Sequence, residues 1–301
     1  MVGVTQFSSL RRISAEEKKT TVKIVDSQVH IWYPDTPERP WPPAIPGVKP
    51  HRERPFVLED LLAEMRAAGV DRAILTPPTF DGARNDMVLE AARLYPDRFA
   101  VMGRLLVNDP EIRGKIATWK QQPGMLGVRV NFFLAQHRSC LSNGTADWFW
   151  RAAEKAGVGI MIYVPGNLPP VRKIAERWPS LKLIVDHMGS PHGSKDDTAF
   201  AHIDELCELA RFPNVAVKVS ALPVYSSEPY PHPKLHPYVK RAYDAFGPKR
   251  LFWSSDLTRL QCSYRLSITM ITEEMKWLTG TDLEWIMGRG VCEWLGWPME
   301  K

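Results

Sequence analysis

The sequence predicts a single (β/α)8 barrel, the TIM-barrel class of α/β fold, on two observations. Eight short apolar runs rich in Val and Ile recur along the chain, with amphipathic stretches of helical period between most of them. That alternation is the pattern of parallel strands joined by crossover helices. Eight is also the number of strands at which a parallel sheet closes on a side-chain-filled interior, and 301 residues is a length at which such barrels occur as one domain.

The first run, 22–32, feeds a Pro-rich segment, 34–55, that is expected to be a long loop, because proline neither donates to a ladder nor sits inside a helix. Residues 57–68 then place Leu58, Leu61, Leu62 and Met65 on one helical face, and Gly69 stands at the stop position. Further strands are expected at 72–76, 99–105, 125–130, 159–164, 181–186, 215–219 and 250–254. The intervening helices are expected at 85–94, 111–121, 147–156, 170–178, 199–210 and 237–246. Two last helices, 267–278 and 282–287, complete the ring, and the tail 291–299 packs Trp294 and Trp297. Residues 1–21 read as a polar arm and 22–301 as the barrel domain.

Composition excludes several classes. Hydrophobic residues make up 44% and charged residues 24%, as in a soluble globular protein. No stretch reaches the length of a membrane span, and the polar start carries no signal-peptide core, so a cytoplasmic protein is expected. Cys140, Cys207, Cys262 and Cys292 lie far apart and form no C-x-x-C pair, which fits reduced thiols. The net charge of +5 is spread among interleaved acids, which argues against nucleic acid and suits a small anionic substrate.

Barrel enzymes carry their chemistry at the C-terminal ends of the strands. Strand one ends in Asp26-Ser27-Gln28-Val29-His30-Ile31-Trp32, where period-two alternation puts Asp26, Gln28 and His30 on one side. Strand six ends in Asp186-His187-Met188-Gly189 and strand eight in Ser254-Ser255-Asp256. Gln28, His30, His187 and Asp256 are therefore expected to converge, as ligands of one divalent metal or as holders of a water. Blander roles stand beside these. Asp256 could cap the segment that follows, Arg129 could be an internal salt-bridge partner, and Lys218 could face the helices or the barrel interior. His51 and His192 read as solvated loop residues, His232 and His236 as candidate substrate contacts, and the Pro-rich loop as either a lid or a spacer.

Taken in order, Asp26-Ser-Gln-Val-His-Ile-Trp32, Gly127-Val-Arg-Val-Asn131, Asp186-His-Met-Gly189, Val217-Lys-Val-Ser220 and Trp253-Ser-Ser-Asp256 resemble the amidohydrolase superfamily. The resemblance is to its amidohydrolase-2 branch, which includes lactonases and nonoxidative decarboxylases, and it spans nearly the whole chain. It implies that Gln28, His30, His187 and Asp256 line the metal or reaction centre, with zinc or manganese as the ion and no organic cofactor. It further implies that Asp256 is the general base, with His30 and His187 as its catalytic partners, and that Arg129, Asn131 and Tyr163 contact the substrate. The chain departs from the branch at one position. Where H-x-H or E-x-H is usual on strand one, Gln28 offers only a neutral amide oxygen, a poorer zinc donor. The implied activity is hydrolysis of a lactone or related small carboxylated substrate by Asp-activated water. The alternatives are a metal-dependent decarboxylase or hydratase of an aromatic or muconate-like acid, and a non-catalytic barrel subunit of a hetero-oligomer; a homo-oligomer is also open.

Overall fold

Strands buried on both faces read as nearly continuous apolar runs, and all but one of the strand residues in this protein are buried. The computed structural model describes residues 22–45 and 48–299, so the expected polar arm, 1–21, lies outside the described residues. Its eight parallel strands are β1 (Val25–Val29), β2 (Arg72–Leu75), β3 (Phe99–Arg104), β4 (Met125–Asn131), β5 (Gly159–Tyr163), β6 (Leu183–Val185), β7 (Val215–Ser220) and β8 (Leu251–Ser254). They form one sheet in sequence order, with parallel pairing at every step.

No ladder joins β8 to β1 among the described residues. Side chains bridge that seam instead: Ser27 donates to the Trp253 carbonyl at 2.7 Å and Ser254 to the Gln28 carbonyl at 3.3 Å. The barrel is thus nearly closed.

At the N-terminal end of the strands, Val25, Ile74, Met102, Met161, Ile184 and Phe252 pack inward against Val291, Cys292, Leu295 and Trp297. The tail is therefore the barrel floor, which explains its apolar content. Arg72 stacks over Trp297 at 3.5 Å and donates to the Pro298 carbonyl at 2.7 Å. On β4, Gly127 lets β5 approach, since a Cβ there would lie 2.2 Å from the Gly159 carbonyl oxygen.

Several elements differ from expectation. The segment Pro110–Gln121 runs in tight 3₁₀ turns rather than an α-helix. Its two buried side chains, Ile116 and Trp119, are three residues apart, the spacing that stacks in a three-residue turn, and Gly114 weakens the α alternative. The last two helices widen into π turns at Met270–Glu274 and Trp285–Arg289, and a further helix, Gly290–Leu295, follows.

On β1 the simple alternation fails. A register shift between Asp26 and Val29 lets Val25 and Gln28 both enter the interior, three residues apart. Asp26 turns instead toward the outer layer, where its carboxylate accepts from the Ser255 backbone at 3.1 Å, the Ser255 hydroxyl and the Tyr264 hydroxyl at 2.7 Å. This one carboxylate ties β1 to the end of β8 and to the helix Tyr264–Thr269. Tyr264→Phe is expected to cost about 1–3 kcal/mol of unfolding free energy. Urea denaturation measures it, and a loss below about 0.5 kcal/mol, the range of an ordinary surface substitution, would mean that this bond does not carry the seam.

Candidate active site

Four non-glycine residues with left-handed backbone stand just beyond the ends of adjacent strands: His187 (φ 53°) and Met188 (φ 54°) after β6, Ala221 (φ 54°) after β7 and Asp256 (φ 50°) after β8. Such conformations cost of order 1–3 kcal/mol each and cluster where a site over-determines them. Here they turn the chain sharply at the mouth. Asp256 opens a 3₁₀ turn, Leu257–Arg259, yet its side chain caps nothing, so its carboxylate is left for the site.

His30, His187 and Asp256 meet at the mouth. His30 Nε2 lies 3.3 Å from Asp256 Oδ1, and His187 Nε2 lies 3.7 Å from Asp256 Oδ2. All three residues are almost fully buried. The other nitrogen of His30, Nδ1, is 2.6 Å from the Thr76 carbonyl oxygen. A carbonyl only accepts, so Nδ1 carries the proton, and Nε2 faces Asp256 with a lone pair unless a second proton is present. Two lone pairs at 3.3 Å need a proton or cation between them. Asp256 Oδ1 correspondingly has no hydrogen-bond partner among the described residues.

Gln28 enters from beneath. Its Oε1 accepts from Lys218 Nζ at 2.5 Å, which directs its amide NH2 toward His187 Nε2 at 3.5 Å. Lysine has no acceptor, so this orientation of the amide is fixed by chemistry. Lys218, with no exposed surface, points into the barrel, resolving its open direction. Its ammonium also lies 2.7 Å from Asp186 Oδ1, and Arg129 Nε donates to Asp186 Oδ2 at 2.7 Å. Arg129 is thus a salt-bridge partner that also lines the cavity.

The cavity above this layer has a volume of about 390 Å³. Asn131 lines it, donating Nδ2 to Thr79 Oγ1 at 2.7 Å while its Oδ1 has no partner among the described residues. Tyr163 lines it too, but its hydroxyl donates to the Ser190 carbonyl at 2.9 Å, so toward the cavity it offers lone pairs and a ring face. The Pro-rich segment contributes Val48, Lys49 and His51, placing it over the mouth. His51 donates to or accepts from Thr258 Oγ1 at 2.8 Å, and its ring lies 5.4 Å from that of His30.

His192 and Arg259 also reach the cavity, whereas His232 and His236 do not line it. His232 is bonded to the Glu228 carbonyl and His236 to that of Pro231. The loop histidines that line the cavity are therefore His51 and His192. Arg259, three residues past Asp256, sits 3.2 Å from its Oδ2 and 3.0 Å from His192 Nδ1. That spacing was the available signal for it.

Burial by itself would raise the Asp256 pKa, but the neighbouring His30, Arg259 and His187 outweigh it and hold the carboxyl well below its ordinary value. Burial pushes His187 well below its ordinary value, against the pull of Asp256 and Asp186. Asp186 is lowered as well: burial opposes this, but Lys218 and Arg129 prevail. The centre therefore combines fixed carboxylates with a neutral imidazole.

The neutral form of His187 is the one the fold holds, so its contribution is complete above the unfolded value of 6.5 and is lost as pH falls below it. Asp256, depressed below 3.8, adds its loss only in stronger acid. The melting temperature is expected to fall as pH is lowered from about 6.5 toward 4.5, the window in which an ordinary histidine protonates. His187→Asn should lessen that slope without abolishing it, because burial lowers His51 and His192 as well, and an unchanged slope in the variant would place the proton uptake elsewhere.

Comparison with known proteins places this geometry in context. An L-fucono-1,5-lactonase of Burkholderia ambifaria is 28% identical over 246 residues, covering 77% of this chain and 79% of that protein. A 4-sulfomuconolactone hydrolase of Hydrogenophaga intermedia is 23% identical over 235 residues, covering 77% of this chain and 73% of that protein. Among solved structures, an amidohydrolase of Burkholderia multivorans with bound zinc superposes with a TM-score of 0.76 at 21% identity, over 92% of this chain and 100% of that one. A 5-carboxyvanillate decarboxylase of Novosphingobium aromaticivorans, complexed with manganese, has a TM-score of 0.57 at 18% identity, over 78% of this chain and 79% of that one. The amidohydrolase profile Amidohydro_2 matches residues 25–299, essentially the whole barrel, and the chain belongs to that family.

Proposed function

We propose that this protein hydrolyses a small anionic lactone, with the His30–Asp256 pair taking the proton of the attacking water. The observation that carries the reading is the 3.3 Å approach of His30 Nε2 to an unpartnered carboxylate oxygen at the mouth of the barrel. The names of the relatives at the sequence level, both of lactone hydrolases, support the same chemistry. Three cations, Lys218, Arg129 and Arg259, stand against two carboxylates, Asp186 and Asp256, which leaves the pocket favourable to an anion. The cavity suits a single substituted ring.

Two imidazole nitrogens and the orphaned Asp256 oxygen are the donor types of an open catalytic metal site. His30, His187 and Asp256 would hold such an ion, and it would supply Lewis-acid polarisation of the carbonyl and of a water. Gln28 is not part of that set, because its oxygen is turned to Lys218 and its NH2 to His187. No group of three or more His, Cys, Asp or Glu side chains is closed around a common point among the described residues, so an ion would have to draw these three inward.

The protein's own groups account for the proton movements. Water placed between His187 Nε2 and Asp256 loses a proton to the His30–Asp256 pair as its oxygen bonds to the lactone carbonyl carbon. Arg129 and Arg259 lie where negative charge develops on the carbonyl oxygen or is carried by a substituent. The ring C–O bond then breaks, and the proton held by the pair passes to the departing alkoxide, giving a hydroxy acid. Arg259 at 3.2 Å keeps Asp256 ionised between turnovers.

The decarboxylase alternative finds support in shared fold alone. The non-catalytic reading loses its motive, because Gln28 is engaged on both sides rather than left as a vestige.

Asp256→Asn keeps the shape and removes the base. It is expected to lower turnover by about 10² to 10⁴-fold, read with a pH indicator on L-fucono-1,5-lactone and on a muconolactone bearing an anionic group. Melting curves taken alongside verify the fold. A folded variant that retains turnover within a few-fold of wild type removes Asp256 from the proton transfer.

A further inference from the structure

We infer that the Lys218 ammonium takes, within the barrel, the place of a strand-one metal contact: by holding Gln28 it keeps this position from ligating a divalent ion. The inference rests on His30, His187 and Asp256 being the reaction centre, but not on which reaction occurs there.

Three atoms bearing lone pairs surround Lys218 Nζ: Gln28 Oε1 at 2.5 Å, Asp186 Oδ1 at 2.7 Å and Met161 Sδ at 3.3 Å. Burial lowers the Lys218 pKa against the pull of Asp186, but a neutral amine has only two N–H groups for these three atoms, and a carboxylate oxygen at 2.7 Å with an amide oxygen beside it favours the ammonium. The group is fully buried and cannot withdraw to solvent. Asp186 is shared with Arg129 at 2.7 Å, so the carboxylate does not fully neutralise the lysine's surroundings.

Two consequences follow at the centre. Because the Gln28 oxygen faces the ammonium, its NH2 faces His187 Nε2, so strand one presents hydrogens rather than a donor atom to the centre formed by His30, His187 and Asp256. A divalent ion would also enter a pocket in which cations already outnumber carboxylates. The obstacle is then the Lys218–Gln28 pair, and replacing Gln28 alone by a better ligand leaves the ammonium facing the new donor. An imidazole there meets a cation, and a carboxylate there becomes an ion pair.

The test is zinc affinity of the full chain, stripped with EDTA and titrated against a chromogenic chelator, with circular dichroism to establish folding. Gln28→His and Gln28→Glu, each with Lys218 present, are expected to bind zinc within about threefold of wild type. The double variant Gln28→His/Lys218→Met should bind about 10- to 100-fold more tightly, the range in which groups surrounding a metal's ligands act. If either single variant gains more than about threefold, or if the folded double variant gains no more than the singles, the inference is overturned. Should the double variant fail to fold, Gln28→Glu decides alone: no gain supports the blocking role, and a gain overturns it. The readout is zinc occupancy, so a failure to hydrolyse lactones leaves it unaffected.

Discussion

A buried ion pair sets the arrangement of this active-site layer. Lys218 and Asp186, both without exposed surface, sit 2.7 Å apart in the barrel interior. Taking two charges out of water is costly, and such a pair contributes little net stability, yet removing one partner would leave an uncompensated buried charge at a cost of about 3–5 kcal/mol. The pair is therefore locked in place, and it fixes its neighbours. Arg129 is held through Asp186, Gln28 through Lys218, and His187 faces the amide that Gln28 is obliged to turn toward it. Among the described residues, Asp256 Oδ1 is one of the buried oxygens near this layer that no hydrogen bond satisfies, and it is where the chemistry is proposed.

The backbone supports the same division of labour. Below the layer the interior is apolar and sealed by the tail helix, so the floor supplies hydrophobic stability. Above it, His187, Ala221 and Asp256 adopt left-handed conformations that the sheet and the polar layer must hold against their own preference. Stability and strain thus occupy opposite ends of one barrel, as the fold's usual separation of core and mouth allows.

Much of this was legible in the sequence, for identifiable reasons. The strands were readable because burial on both faces leaves few polar residues between Val and Ile, and Gly69 closes its helix in the left-handed conformation expected of it. His30, His187 and Asp256 were readable because each lies at the end of a run that has to be a strand. What escaped was whatever depends on register or on distant loops. The shift at β1 moved Asp26 out of the interior against simple alternation, and no local pattern encodes where that bulge falls. Lys218 between two valines has the same appearance whether it points in or out; only its three partners from β1, β5 and the end of β6 decide. His51 and His192 come from loops whose path is set by tertiary contacts, and the segment 111–121 lacked the apolar spacing of an α-helix, a sign that could have been read.

The central claim is that Lys218 orients Gln28 and, through it, His187, one of the two histidines on which the proposed proton transfer depends. Ring-nitrogen NMR of histidine-labelled protein near neutral pH tests this most directly, because it reports which nitrogen of each imidazole carries the proton. The account predicts a proton on Nδ1 of His187, directed at the Ser220 hydroxyl 2.7 Å away, with a bare Nε2; His30 likewise carries a proton on Nδ1, against the Thr76 carbonyl. A His187 protonated on Nε2 would contradict it, since that hydrogen would face the amide hydrogens of Gln28 and the chain of orientation from Lys218 to the reaction centre would be broken.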